Sequence, residues 1–137
     1  MNKPISPWAE KVELASPDKH HLARFDSDTE MGMGGPPMGR LTIIAVAEPD
    51  REFLVADNAA ASMVWSPDSR FLAFSRWRGN RMQALCVFRL SDFTVDESPD
   101  EFRVLELHSF LDGQIAGVDS PVYQPRSFSL KYDREGE

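Results

Sequence analysis

Cysteine is almost missing from this 137-residue chain: Cys86 stands alone. A single thiol excludes an intrachain disulfide framework, and its setting in Ala84-Leu85-Cys86-Val87-Phe88 predicts a small buried hydrophobe, not a nucleophile. Positive charge is also in short supply. Fifteen basic against 22 acidic residues leave a formal net charge of −7, a field that repels nucleic acid and anionic membrane and favours basic partners. Long apolar runs are absent, since no stretch approaches the ~18 uninterrupted apolar residues of a membrane span. Met1 to Trp8 hold no apolar signal core, so a cytoplasmic protein is expected. Catalytic signatures are missing too: no nucleophile elbow, phosphate-cradling glycine loop, helical zinc-ligand pair or cysteine beside an evident base. The expectation is a non-enzyme without cofactors.

What is present is apolar payload. Hydrophobic residues make up 42%, including nine Phe and three Trp, enough for one packed core in a chain of single-domain length. An internal repeat organises it. Ser16-Pro17-Asp18-Lys19-His20-His21-Leu22-Ala23 returns fifty residues later as Ser66-Pro67-Asp68-Ser69-Arg70-Phe71-Leu72-Ala73, with five of eight positions identical. Proline presets φ for the first central turn position, and the Ser and Asp side chains can bond nearby amides, so each copy predicts a hairpin corner.

Strands are expected on both sides of each corner. The first set is Lys11 to Leu14, His20 to Ser27, Arg40 to Val46 and Glu52 to Ala56. The second runs from Ser62 through Phe71 to Trp77 and Met82 to Leu90, joined by a tight turn at 78–81, and ends with the alternating Glu101 to Leu107. This predicts an all-β protein: two blade-like four-stranded antiparallel sheets, at about 11–57 and 62–107, packed in one small domain. A C-terminal segment, 108–137, is expected to cover an edge or the end of the core, through a turn-rich crossing before a final strand from Ser127 to Tyr132. Asp57 to Ala61 is read as one helical turn linking the sets, with Asn58 as its cap. Asp92 to Glu101 is read as an acidic connection.

The string Trp65-Ser66-Pro67-Asp68-Ser69-Arg70-Phe71-Leu72-Ala73-Phe74 resembles the W-S-P-D-G-x-x-[LI]-A-[FY] blade signature of TolB-type and prolyl-peptidase-type WD40-like β-propellers. Ser69 replaces the usual Gly, and the first copy has Ala15 and Lys19 where Trp and Gly stand in that family. The resemblance covers Ser62 to Leu90 and, more weakly, Glu13 to Phe25. It implies a structural corner and brings no catalytic residues. Two blades are too few for a closed propeller, which takes about four.

Three clusters are candidate sites. His20 and His21 with the alternating Asp26, Asp28 and Glu30 have metal-ligand character, although a solvated strand face gives the same pattern. Arg70, Arg76, Arg78, Arg81 and Arg89 surround Trp77 and suit either anion binding or pairing with Asp92, Asp96, Glu97, Asp100 and Glu101; pairing is the favoured reading. The Met31 to Gly39 loop sets Met31, Met33 and Met38 on a glycine-rich backbone, an adaptable contact surface or equally a plug for one end of the core. The partner-binding surface is therefore expected among Met31, Met33, Met38, Trp77, Arg78, Asp96, Glu97, Asp100 and Glu101. The leading functional expectation is an inhibitor or immunity protein that neutralises a basic toxin or nuclease, as a monomer or small homo-oligomer. The alternatives are an assembly subunit joined through edge strands into a larger propeller-like ring, and a metal-dependent module using His20, Asp26 and Asp28.

Overall fold

A computed structural model describes residues 4–32 and 34–132. They form ten strands: β1 (Lys11–Ala15), β2 (His21–Thr29), β3 (Met38–Ala45), β4 (Glu48–Trp65), β5 (Phe71–Trp77), β6 (Gln83–Arg89), β7 (Thr94–Phe102), β8 (Leu105–Leu111), β9 (Gln114–Asp119) and β10 (Arg126–Lys131). The all-β expectation holds. No helix among them is long and apolar enough to cross a membrane.

The arrangement of sheets differs from the expected pair of four-stranded blades. β1 to β7 form one antiparallel meander of seven strands, and β8 to β10 form a separate sheet of three, in the order β10-β9-β8. The reason lies in β4. It runs for 18 residues, pairing with β3 through its first half and with β5 through Met63–Trp65. Residues 57–61, expected to make a helical turn, continue this strand. One turn lacks the length to stabilise itself as helix, whereas Ala59, Ala60 and Ala61 are fully buried as strand. Asn58 caps nothing; its Nδ2 donates to the Trp77 carbonyl at 2.8 Å.

Register shifts along β4 let the sheet fold over itself. Phe25, Leu41 and Ile43 from one half then meet Leu72, Phe74 and Phe88 from the other in a single cluster. The opposite face of β5 and β6 is apolar as well. Phe71, Leu85 and Val87 pack there against Leu105, Leu107 and Ile115 of the three-stranded sheet. Both faces of β5 and β6 are covered, which is why their sequences read as continuous apolar runs without alternation.

Further expectations change. The acidic 92–101 connection is mostly β7, and the strand expected at 101–107 is divided between the end of β7 and the start of β8. Pro99 fits because β7 is an edge strand, which has no second neighbour. The expected turn-rich crossing contains β9, and the C-terminal strands cover the face of β5–β6, not an edge. Polar residues fix that docking: Gln83 Oε1 accepts from Leu105 N–H at 2.7 Å and Ser62 Oγ from Leu107 N–H at 2.8 Å.

Candidate binding site

The two Ser-Pro-Asp corners are built alike, bond for bond. In each, the serine hydroxyl donates to the aspartate (Ser16 to Asp18, 2.6 Å; Ser66 to Asp68, 2.7 Å) and accepts an amide five residues on (His21 and Phe71, both 3.1 Å). The aspartate accepts a second amide, from His20 and Arg70. The corners also touch each other. Ser69 Oγ accepts from Asp18 N–H at 2.9 Å, and Trp65 Nε1 donates to the Leu14 carbonyl at 3.0 Å. Lys19 and Ser69 both adopt left-handed backbone, with φ of 66° and 64°, at the position that is glycine in the resembled signature. Ser69 is thus strained in its backbone but carries a bond that glycine would lack.

At the other end of β2, the loop before β3 is held by two tryptophans. Trp8 Nε1 donates to the Gly34 carbonyl at 2.7 Å, and Trp77 Nε1 to the Pro37 carbonyl at 3.4 Å. Gly39 begins the return. A Cβ there would lie 2.0 Å from the Asp26 carbonyl oxygen, so β2 and β3 approach too closely for any other residue. A groove of about 560 Å³ opens between this loop and β2, lined by Trp8, Glu10, Asp28, Glu30, Gly34 and Pro37 among others. Among the described residues no Lys, Arg or His lines it.

The expected contact residues other than Met33 can now be placed. Met31 and Met38 are half-buried, between the two readings of the loop; Met33 lies outside the described residues. Trp77 is buried, at 7% exposure. Arg78 bonds Glu97 (3.1 Å), Glu101 (3.0 Å) and the Ser98 carbonyl (2.8 Å), while Arg76 pairs with Glu97 and Arg89 with Asp92. Arg76, Arg78 and Arg89 thus pair with the acidic stretch, whereas Arg70 faces Asp68 of its own corner at 3.8 Å. Asp96 accepts from the Tyr132 hydroxyl at 2.7 Å, and Asp100 from the Ser98 hydroxyl at 2.9 Å.

These contacts shift titrations. Burial alone would raise the Glu97 carboxyl, but Arg76 and Arg78 outweigh it and hold it below its ordinary range. Asn80 and Arg78 lower Glu101, Arg89 and Thr94 lower Asp92, and the Ser16 hydroxyl and His20 amide lower Asp18. Cys86 lies beneath the Arg76–Glu97 pair with its Sγ 3.7 Å from Glu97, and burial pushes its thiol up to about 12, an unreactive state. His20 faces Asp18 at 3.7 Å. Among the described residues no three His, Cys, Asp or Glu side chains are grouped to hold a metal.

Trp8 and Glu10 carried no signal in the sequence, because nothing local joins an N-terminal tryptophan to Gly34 of the Met31 to Gly39 loop 26 residues away. It also missed Ser62 and Gln83, whose signal was a polar residue inside an apolar run. No protein-family model matches the chain, and no curated protein matches it at a significant level.

Proposed function

We propose that the protein is a non-catalytic cytoplasmic binding module for a basic protein, in its sharpest form an inhibitor or immunity protein covering a basic toxin or nuclease. The observation that carries this reading is the groove beside the Trp8–Gly34 bond, where Glu10, Asp28 and Glu30 line one wall with no cation among the described lining residues. The arginines of the β5–β6 hairpin that face β7 do not offset it, because Arg76, Arg78 and Arg89 pair with the neighbouring acids. Such a surface speeds capture of a positive partner. The identically bonded corners support reading the chain as two blade-type repeats of WD40-like origin, fused through β4.

The test compares the native chain with a triple variant, Glu10→Lys, Asp28→Lys, Glu30→Lys, in affinity capture followed by calorimetry at low and high salt. A basic protein retained by the native chain, released by salt and lost with the variant is expected. Capture of the same proteins at equal affinity by both chains would overturn the reading.

The assembly alternative has weaker support. β1 is five residues long with exposed Lys11 and Glu13, and β7 carries Pro99 and a bulge, features that blunt an edge. Light scattering decides it, since a monomer at micromolar concentration excludes a stable ring. Among the described residues the metal alternative has no ligand cluster behind it.

A further inference from the structure

The four edges of the two sheets are not treated alike. β1 is short and charged, β7 is broken by proline and a bulge, and the outer amides of β8 at Leu105 and Leu107 are already taken by Gln83 and Ser62. Among the described residues β10 carries its charges, Arg126 and Lys131, at its two ends and has none of these protections along its centre. Tyr132 N–H donates to the Gly113 carbonyl, and the β9–β10 register is unbroken, so the two-residue alternation turns the main-chain groups of Ser127 and Ser129 outward. The central run Ser127-Phe128-Ser129-Leu130 contains neither charge nor proline. Such an edge is a template for another strand.

Beside this edge lies a groove of about 300 Å³. Leu85, Val87, Ile115 and Leu130 give it an apolar lining, and residues 96–100 of β7 form the facing wall. Among the described lining residues Asp96, Glu97 and Asp100 stand against one cation, Lys131. Glu97 is neutralised by Arg76 and Arg78, and Asp96 holds the Tyr132 hydroxyl, so the wall is fixed in place and its acidity rests on Asp96 and Asp100.

We propose that β10 accepts an extended segment of a basic protein as a fourth strand, antiparallel or parallel to itself, with alternate side chains resting on the apolar lining and lysine or arginine heads meeting the β7 carboxylates. Main-chain bonds to Ser127 and Ser129 supply affinity, and the acidic wall supplies selectivity. Long basic side chains suit such a groove because their stems are apolar and their heads are charged. The proposal rests on the reading of the partner as basic, but it uses a different surface from the Trp8 groove.

The test uses a short synthetic peptide alternating lysine and valine, with an otherwise equal peptide alternating glutamate and valine as control, titrated onto the full chain by NMR. Slowed amide exchange at Ser127 and Ser129, and no binding of the glutamate peptide, are expected. Ser129→Pro removes an outward N–H and is expected to weaken binding by about tenfold or more, since the bond it deletes has no substitute. Its circular dichroism and melting temperature report whether the fold survives. Asp100→Lys, at an exposed position, leaves the β10 backbone intact and is expected to weaken binding several-fold. Equal binding by the native chain and both variants, or protection mapped to another strand, would overturn the proposal. So would a concentration-dependent dimer abolished by Ser129→Pro, which would make a second copy of this chain the occupant. Failure here alongside intact capture through the Trp8 groove would leave the function standing and remove only this docking mode.

Discussion

Ser69 and Lys19 occupy the same left-handed position in two copies of one corner, yet they answer to different constraints. Lys19 is exposed and, among the described residues, its side chain makes no hydrogen bond that offsets the backbone strain, so Lys19→Gly should stabilise the protein by about 0.5–1 kcal/mol in urea unfolding. Ser69→Gly relieves the same strain but deletes the bond to Asp18 N–H, so its net effect should be near zero, and Ser69→Ala should destabilise by about 1 kcal/mol. Equal responses of the two corners to glycine would show that the cross-corner bond does not matter. Ser66→Ala leaves the Phe71 amide, at the base of a buried strand, without its side-chain acceptor, and should cost about 1–2 kcal/mol by the same measurement.

Hairpin corners were legible at the scale of the element because their chemistry is local. Serine, proline and aspartate specify the turn within six residues, and strands follow wherever apolar residues alternate. What escaped was set by tertiary contact. Alanines 59–61 favour helix in isolation, but their small side chains fit where β4 passes between two layers, and burial outweighs a propensity worth tenths of a kcal/mol per residue. β7 looked like a connection because it is acidic; it is a strand because Arg76 and Arg78 reach across the small residues Ala84 and Cys86 of β6 to its carboxylates. The candidate groove at Trp8 was hidden for the same reason, being formed by residues far apart in the chain. At this scale Gln83→Leu should release Leu105 N–H and cost about 1–3 kcal/mol, with faster amide exchange confined at first to β8–β10. Uniform acceleration across all ten strands would mean that the two sheets unfold as one unit.

For the molecule as a whole, the lowered carboxyls fix how stability responds to acid. Asp18, Asp92, Glu97 and Glu101 all titrate below their ordinary values when folded, so the unfolded chain binds protons first. Their contribution is fully present above the unfolded values, near 4.5 for glutamate and 3.8 for aspartate, and is lost as pH falls through the folded ones. The melting temperature should be level between pH 7 and about pH 5 in respect of these groups and decline below that. Glu97→Gln should flatten the decline; an unchanged acid limb in that variant would remove Glu97 from the account. A last consequence comes from the double cover on β5–β6. During synthesis this hairpin leaves the ribosome well before β8 to β10 exist, so Phe71, Leu85 and Val87 meet water until residue 132 has emerged. The nascent chain passes through an interval of exposed apolar surface, and translation that pauses shortly after residue 102 should favour aggregation more than a pause before residue 70.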